Sequence, residues 1–236
     1  EIEVGAAQAF QSALDPVGKE ITARITTDLS WNDPQFAKDW GVGFTGSYIN
    51  YQQRIPTALQ LLPPNTTLVT GTFPNGMIGA PETSERQLRL SAYAIYSGFI
   101  GHNWRFGAGH DDLNMYETSE LRNCNYTASG VPIPLATVMD FSNTTPFILP
   151  QRRKVDYLYA QDEWNFTKDW TLTTGVRHDR YSDSGDTTNP RLALVWDAEL
   201  DVTVKLLYGR AFRAPAFAEL YGITNPVATG NPNLRP

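Results

Sequence analysis

The chain has 236 residues, of which 41% are hydrophobic, 12% aromatic and 19% charged, enough for one large domain or two small ones. Its mean hydropathy of -0.35 and the lack of any apolar run near the ~20 residues of a spanning helix exclude a helical membrane protein, but not spanning strands, which need only ~9–11 residues with every second one apolar. Nineteen Lys and Arg against 25 Asp and Glu give a net charge of -6, without the basic stripe of a nucleic-acid binder, and the single cysteine, Cys124, rules out a disulfide framework within the chain.

The N-terminus, Glu1-Ile2-Glu3, lacks the basic start and apolar stretch of a signal peptide. It reads as part of a strand near Ile2–Phe10. The clearest alternation follows. Ile21, Ala23, Ile25, Thr27, Leu29 and Trp31 share one face of a strand, and Glu20, Thr22, Arg24, Thr26, Asp28 and Ser30 share the other. Trp40, Val42, Phe44 and Tyr48 repeat the pattern against Gly41, Gly43, Thr45 and Ser47. Leu88, Leu90, Ala92, Ala94 and Tyr96 oppose Gln87, Arg89, Ser91 and Tyr93. Trp104, Phe106 and Ala108 oppose Arg105, Gly107 and Gly109. Over Lys154–Asn165, Tyr157 and Tyr159 face one way and Leu158 and Trp164 the other, with the outer side unassigned. Trp170, Leu172, Thr174 and Val176 oppose Thr171, Thr173, Gly175 and Arg177. Leu192, Leu194 and Trp196, then Val202, Val204, Leu206 and Tyr208, complete about nine strands.

The connections sort by length. Asp33–Ala37, Phe99–Asn103, Phe166–Asp169 and Asp197–Asp201 are short, Asp183–Asn189 is intermediate, and Arg54–Ser84 and Glu117–Arg153 are long. In an up-and-down sheet, alternate connections lie at opposite ends. One end therefore carries tight turns and the other large loops, as in outer-membrane barrels. Connections this long are uncommon in compact soluble domains. Trp40, Trp104 and Trp170 each open the strand after a tight turn, 64 and 66 residues apart. They would form an aromatic girdle at one membrane interface; the plainer alternative is that tryptophan simply packs well in strands. A soluble β-sandwich is the competing source of alternation, but several strands here exceed its usual five or six residues.

The stretch Tyr-Ala-Gln-Asp-Glu-Trp (159–164), Trp-Thr-Leu-Thr-Thr-Gly-Val-Arg-His-Asp-Arg-Tyr (170–181), Asn189-Pro190-Arg191, Tyr-Gly-Arg-Ala-Phe-Arg-Ala-Pro-Ala-Phe-Ala-Glu-Leu-Tyr (208–221) and Asn-Pro-Asn-Leu-Arg-Pro (231–236) resembles the barrel of TonB-dependent outer-membrane receptors. The motif residues are Gly209, Arg210, Phe212, Arg213, Pro215, Glu219, Leu220, Tyr221, Asn231 and Pro232. The resemblance is specific over the last third and general before residue 150. It implies an all-β fold, an antiparallel up-and-down transmembrane barrel of 22 strands. Residues 1–236 would supply about nine of these, without the N-terminal plug or the C-terminal strands. It further implies energy-coupled uptake of a ferric siderophore, haem or cobalamin. The implied partners are the TonB protein, contacted through an N-terminal box, and membrane lipid and lipopolysaccharide. A passive barrel or adhesin, or a soluble carbohydrate-binding β-protein, are the alternatives.

The motif also has a physical reading. Gly209 inside a strand marks a bulge or close backbone approach. Pro215 cannot donate to a ladder, so pairing ends near it. Arg210 and Arg213 then lie near the outer surface, facing lipopolysaccharide phosphates, acidic lumenal groups or solvent. Arg152 and Arg153, a local basic pair in an acidic chain, are candidates for attracting an anionic ligand, against the plainer reading of solubilising charge. No nucleophile elbow, phosphate loop or zinc-protease motif occurs, so no catalytic residue and no cofactor is expected. His110-Asp111-Asp112 lacks a second ligand cluster, and Asp183-Ser184-Gly185-Asp186 is a turn former rather than a calcium loop. Asp162 and Glu163 are strand neighbours and point to opposite faces.

Overall fold

The computed structural model describes residues 18–198, 201–223 and 230–234. Their strands are β1 (Lys19–Ala37), β2 (Trp40–Thr57), β3 (Leu59–Leu62), β4 (Thr66–Leu68), β5 (Gly71–Phe73), β6 (Met77–Tyr96), β7 (His102–Tyr126), β8 (Pro132–Asp140), β9 (Gln151–Thr167), β10 (Trp170–Tyr181), β11 (Gly185–Ala198) and β12 (Val202–Gly209). A short helix, α1 (Phe217–Tyr221), follows. One antiparallel sheet runs β1-β2-β6-β7-β9-β10-β11-β12, with β3 on β6 and β8 on β7, and β4 and β5 pair separately. Eight of the nine expected strands therefore appear in the expected order; the ninth, Ile2–Phe10, lies outside the described residues.

Tight turns gather at one end of the sheet. The first is Lys38-Asp39, because β1 continues through Asp33–Ala37 with a register shift there. Asp39 takes a φ of 64°, a left-handed conformation that a short polar side chain tolerates. Gly101, with φ 79°, closes the β6–β7 turn. A Cβ at that position would stand 2.9 Å from the Asn165 carbonyl oxygen, so glycine is required by space as well as by backbone.

The other end differs from the expected pair of long loops. Much of Arg54–Ser84 and Glu117–Arg153 is strand, and β7 runs for 25 residues to Tyr126. Cys124 accordingly sits in a strand, fully buried. Sequence alternation fails there because both faces are half-covered, while the backbone still needs its ladder partners. The small hydrophobic core of the chain lies in this region: Phe73, Met77 and Cys124, with Leu62, Leu68 and Tyr126 against them. Beside it, buried Arg122 pairs with Glu120 at 2.7 Å. It also donates to the Cys124 and Thr145 carbonyls, both at 2.9 Å, and stacks 3.8 Å from the Phe141 ring centroid. Burial pushes the Glu120 carboxyl up in spite of Arg122, and pushes up the Cys124 thiol.

Over the turn-proximal part of the sheet the two faces part sharply. One carries Ile25, Leu29, Trp31, Phe44, Leu88, Phe106, Leu158, Val176, Leu192, Val204 and Leu206, all exposed. Leu158 and Trp164 therefore belong to this apolar side, and Tyr157 and Tyr159 to the polar one. The upper edge of the apolar side, toward the loops, slides from strand to strand. On β11 the first polar residue beyond it is Thr188. Its direct partners run through His178, Leu158, Ala108 and Ala92 to Phe44. On β2, however, the apolar side continues past Phe44 to Tyr48, and the first polar residue is Asn50. Six residues of offset over five strand steps, at ~3.4 Å per residue and ~4.8 Å per strand, correspond to a tilt of about 40°. Barrel strands cross a membrane at ~35–45°. The apolar side is thus a level band on tilted strands, the signature of a lipid belt.

Candidate functional site

The polar side is built from a repeated three-residue stack. Gly43, Gly107 and Gly109 have no side chain, and a Cβ at each would run into the ring of Tyr93, Tyr159 or Tyr157 respectively. The tyrosines lie flat over these bare stretches of backbone, the close approach that glycine in a strand permits. Arginines from the next strand then cover two of these tyrosines. The Arg105 guanidinium sits 4.4 Å from the Tyr93 ring centroid and that of Arg177 3.8 Å from Tyr157. The chain order Gly43–Tyr93–Arg105 and Gly109–Tyr157–Arg177 crosses three neighbouring strands each time. Cation–π contacts of this kind contribute ~0.5–2 kcal/mol and hold the guanidinium against the wall.

These stacks frame a depression of about 520 Å³ lined by Arg105, Arg177, Arg191 and Arg210 with Tyr157 and Tyr159; among the described residues, no carboxylate lines it. The volume is that of a small-molecule site. Arg177 is forked onto Asp179, with contacts of 2.7 and 2.8 Å. Among the described residues, no ion pair reaches Arg105, Arg191 or Arg210. The wall therefore presents a surplus of positive charge in a chain that is acidic overall.

Arg152 and Arg153 are not brought together. Adjacent strand residues point to opposite faces. Arg152 is exposed on the outer side and forks Asp112, with Nε 2.8 Å from Oδ1. Arg153 is buried on the inner side, with Nε 2.8 and 2.9 Å from the Asp183 oxygens and its guanidinium over Phe217 and Tyr181. The motif residues after β12 form a folded knot at the same place. Phe212 meets Tyr181 edge-on at 5.8 Å. Leu220 is 1% exposed and Pro215 is buried. Tyr221 reaches Asp183, 3.4 Å away. Arg213 pairs with Glu219 through two contacts of 3.0 and 2.8 Å, and the Ala216 amide donates to Glu219 at 2.7 Å. These hold the Glu219 carboxyl well down, to about 2. Asn231 donates its amide to the Glu219 carbonyl at 2.8 Å, with Pro232 exposed in the following turn. Gly209 pairs regularly with Arg191 and has no atom within 4 Å of a Cβ position, so neither a bulge nor a close approach explains it here. Arg210, in the depression, and Arg213, bound to Glu219, thus have different surroundings.

Trp40 and Trp104 flank Tyr96 in one ladder row. Trp170 stacks on Trp196 at 5.2 Å, farther toward the turns as the tilt requires. The depression was missed in the sequence, although the signal was there: arginines at the wet positions of strands whose other wet positions are glycine.

A profile of the family described as "TonB dependent receptor-like, beta-barrel" matches residues 6–236. Among solved structures, the siderophore receptor PirA from Pseudomonas aeruginosa aligns with 89% of this chain and 41% of its own, at 17% identity and a TM-score of 0.43. The chain thus spans less than half the length of that receptor. With the family profile covering nearly the whole sequence, the tilted sheet and its level apolar belt are part of a transmembrane barrel, and the chain belongs to the TonB-dependent receptor-like β-barrel family.

Proposed function

We propose that this chain forms part of the barrel of a Gram-negative outer-membrane receptor that takes up a scarce nutrient by TonB-coupled transport. In this reading the apolar belt meets lipid, the tryptophan row marks the membrane interface at the turn end, and the long-loop end faces outward toward lipopolysaccharide. The ligand is an anionic metal chelate, of the ferric siderophore or haem type, drawn to the lumenal wall at Arg105, Arg191 and Arg210. One observation carries this: among the described residues, four arginines and no carboxylate line that depression. Among the nutrients the family resemblance implies, that charge favours the anionic chelates over cobalamin.

The test uses the full-length receptor carrying R105A together with R191A. Binding of an anionic ferric chelate is expected to weaken about tenfold at low salt, by less at high salt because screening already weakens the attraction. A neutral chelate of similar size should respond little. Equal affinities of the double variant and the parent for the anionic chelate would overturn the assignment.

A further inference from the structure

Two of the three tyrosines seated on glycine carry an arginine, and the third does not. The tyrosines themselves sit alike. A Cβ on Gly43 would stand 2.4 Å from the Tyr93 ring, one on Gly109 2.2 Å from Tyr157 and one on Gly107 2.3 Å from Tyr159. The covering arginines come from one place in the register. Tyr93 faces Gly107, and Arg105 stands two residues nearer the turns. Tyr157 faces Asp179, and Arg177 again stands two residues nearer the turns. For Tyr159 the direct partner is Arg177, and the residue two nearer the turns is Gly175, which has no side chain to lay over the ring. Arg177 is committed to Tyr157 and Asp179. Arg191 lies across Gly175, its Nε 3.0 Å and Cγ 3.2 Å from a Cβ there. Among the described residues, no cation–π or ring contact reaches Tyr159. One face of its ring rests on Gly107, and the ring lines the arginine depression.

We infer that the open face of Tyr159 is a stacking platform for one aromatic ring of the ligand, which makes the anionic chelate an aryl-oxide chelate, with ionised phenol oxygens holding the iron. The ligand ring takes the place that Arg105 and Arg177 hold on the other two tyrosines. Offset stacking of two rings is favourable beyond the area it buries. The anionic oxygens at the ring edge meet Arg105, Arg191 and Arg210, which line the same depression, and hydrogen bonds between ionised groups are the strong ones. The platform is one ring wide. Tyr157 stands two residues along β9, ~6.8 Å away, and the Arg177 guanidinium lies over it at 3.8 Å, in the way of a porphyrin. The inference rests on the anionic-chelate reading above and narrows it to single-ring aryl chelates.

The experiment is calorimetric binding to the purified full-length receptor, with three iron(III) probes: tris-catecholate, citrate and haemin. The parent should bind the catecholate more tightly than the citrate, which is anionic but has no ring. Y159A should weaken the catecholate about tenfold, the scale of one lost aromatic stack, and leave the citrate unchanged. Y159F keeps a ring over Gly107 and should bind the catecholate like the parent. G175R places an arginine at the covering position and should remove the catecholate preference while citrate binding is retained. Parallel weakening of catecholate and citrate in Y159A would mark the tyrosine as structural support and overturn the platform. A G175R receptor with the parent's preference would overturn it too. Haemin as the one probe that responds to Y159A would overturn the single-ring assignment. A parent that binds neither catecholate nor citrate would instead count against the anionic-chelate reading itself.

Discussion

The belt and the loop end of this chain solve opposite problems with the same strands. In the belt, large apolar side chains point out and stay exposed, Ile25 at 68% and Leu206 at 64%, because lipid is their partner. The inner wall there is paved with tyrosines on glycine. At the loop end the pattern inverts. Phe73, Met77 and Cys124 are buried, and so are two arginines, Arg122 at 1% and Arg153 at 6% exposure. This sheet is stabilised by its solvent in one half and by its own ion pairs and core in the other. Damage should therefore depend on the half it strikes.

The largest effect is expected at Arg122. R122A in the full-length receptor leaves Glu120 buried without its cation. It should cost the loop end ~3–5 kcal/mol, the scale of breaking one partner of a buried pair, read as faster hydrogen exchange over 117–126 with the belt strands unchanged. Glu120 adds a pH signature. Its folded pKa lies above its ordinary value of 4.5 because burial disfavours the charge. Its contribution is therefore fully present below 4.5 and is lost as the pH rises through the folded value. E120Q should flatten that slope. Uniform loss across belt and loops in R122A would mean the halves are not separate.

A smaller effect is expected in the belt. Ala92→Arg on the outer face should cost ~2–4 kcal/mol in folding into lipid vesicles, and Thr45→Arg on the polar face of the neighbouring strand under ~1 kcal/mol. Equal costs would contradict the lipid-facing assignment. The smallest effect belongs to the exposed fork of Arg213 and Glu219. Glu219 has a folded pKa of about 2, below its ordinary 4.5. Its contribution is present above 4.5 and is lost only as the pH falls through about 2. In R213A the knot should loosen at a higher pH, seen as earlier exchange of the Ala216 amide during acidification.

What the sequence reveals follows the same division. Most belt strands were legible because lipid imposes a strict period of two; the outer side of β9 was not, since Tyr157 and Tyr159 on its polar face look as apolar as Leu158 and Trp164 on the other. On that strand only the opposite pointing of the neighbours Asp162 and Glu163 could be read. The extensions of β6 and β7 beyond the belt were not legible, since partial cover on both faces erases the alternation. The opposite placement of Arg152 and Arg153 followed from that period too, but neighbouring charges in a presumed loop look like one cluster until a strand is known to run through them. The Gly–Tyr–Arg stacks needed the register, because each draws its three members from strands far apart in sequence.

The slide of the apolar edge by about one residue per strand makes the sheet a screw rather than a palisade. Carried around a closed cylinder, such a pitch forces the first and last strands to meet many residues out of step. The chain therefore fixes the height at which any neighbour must join β12, before that neighbour's own sequence has any say.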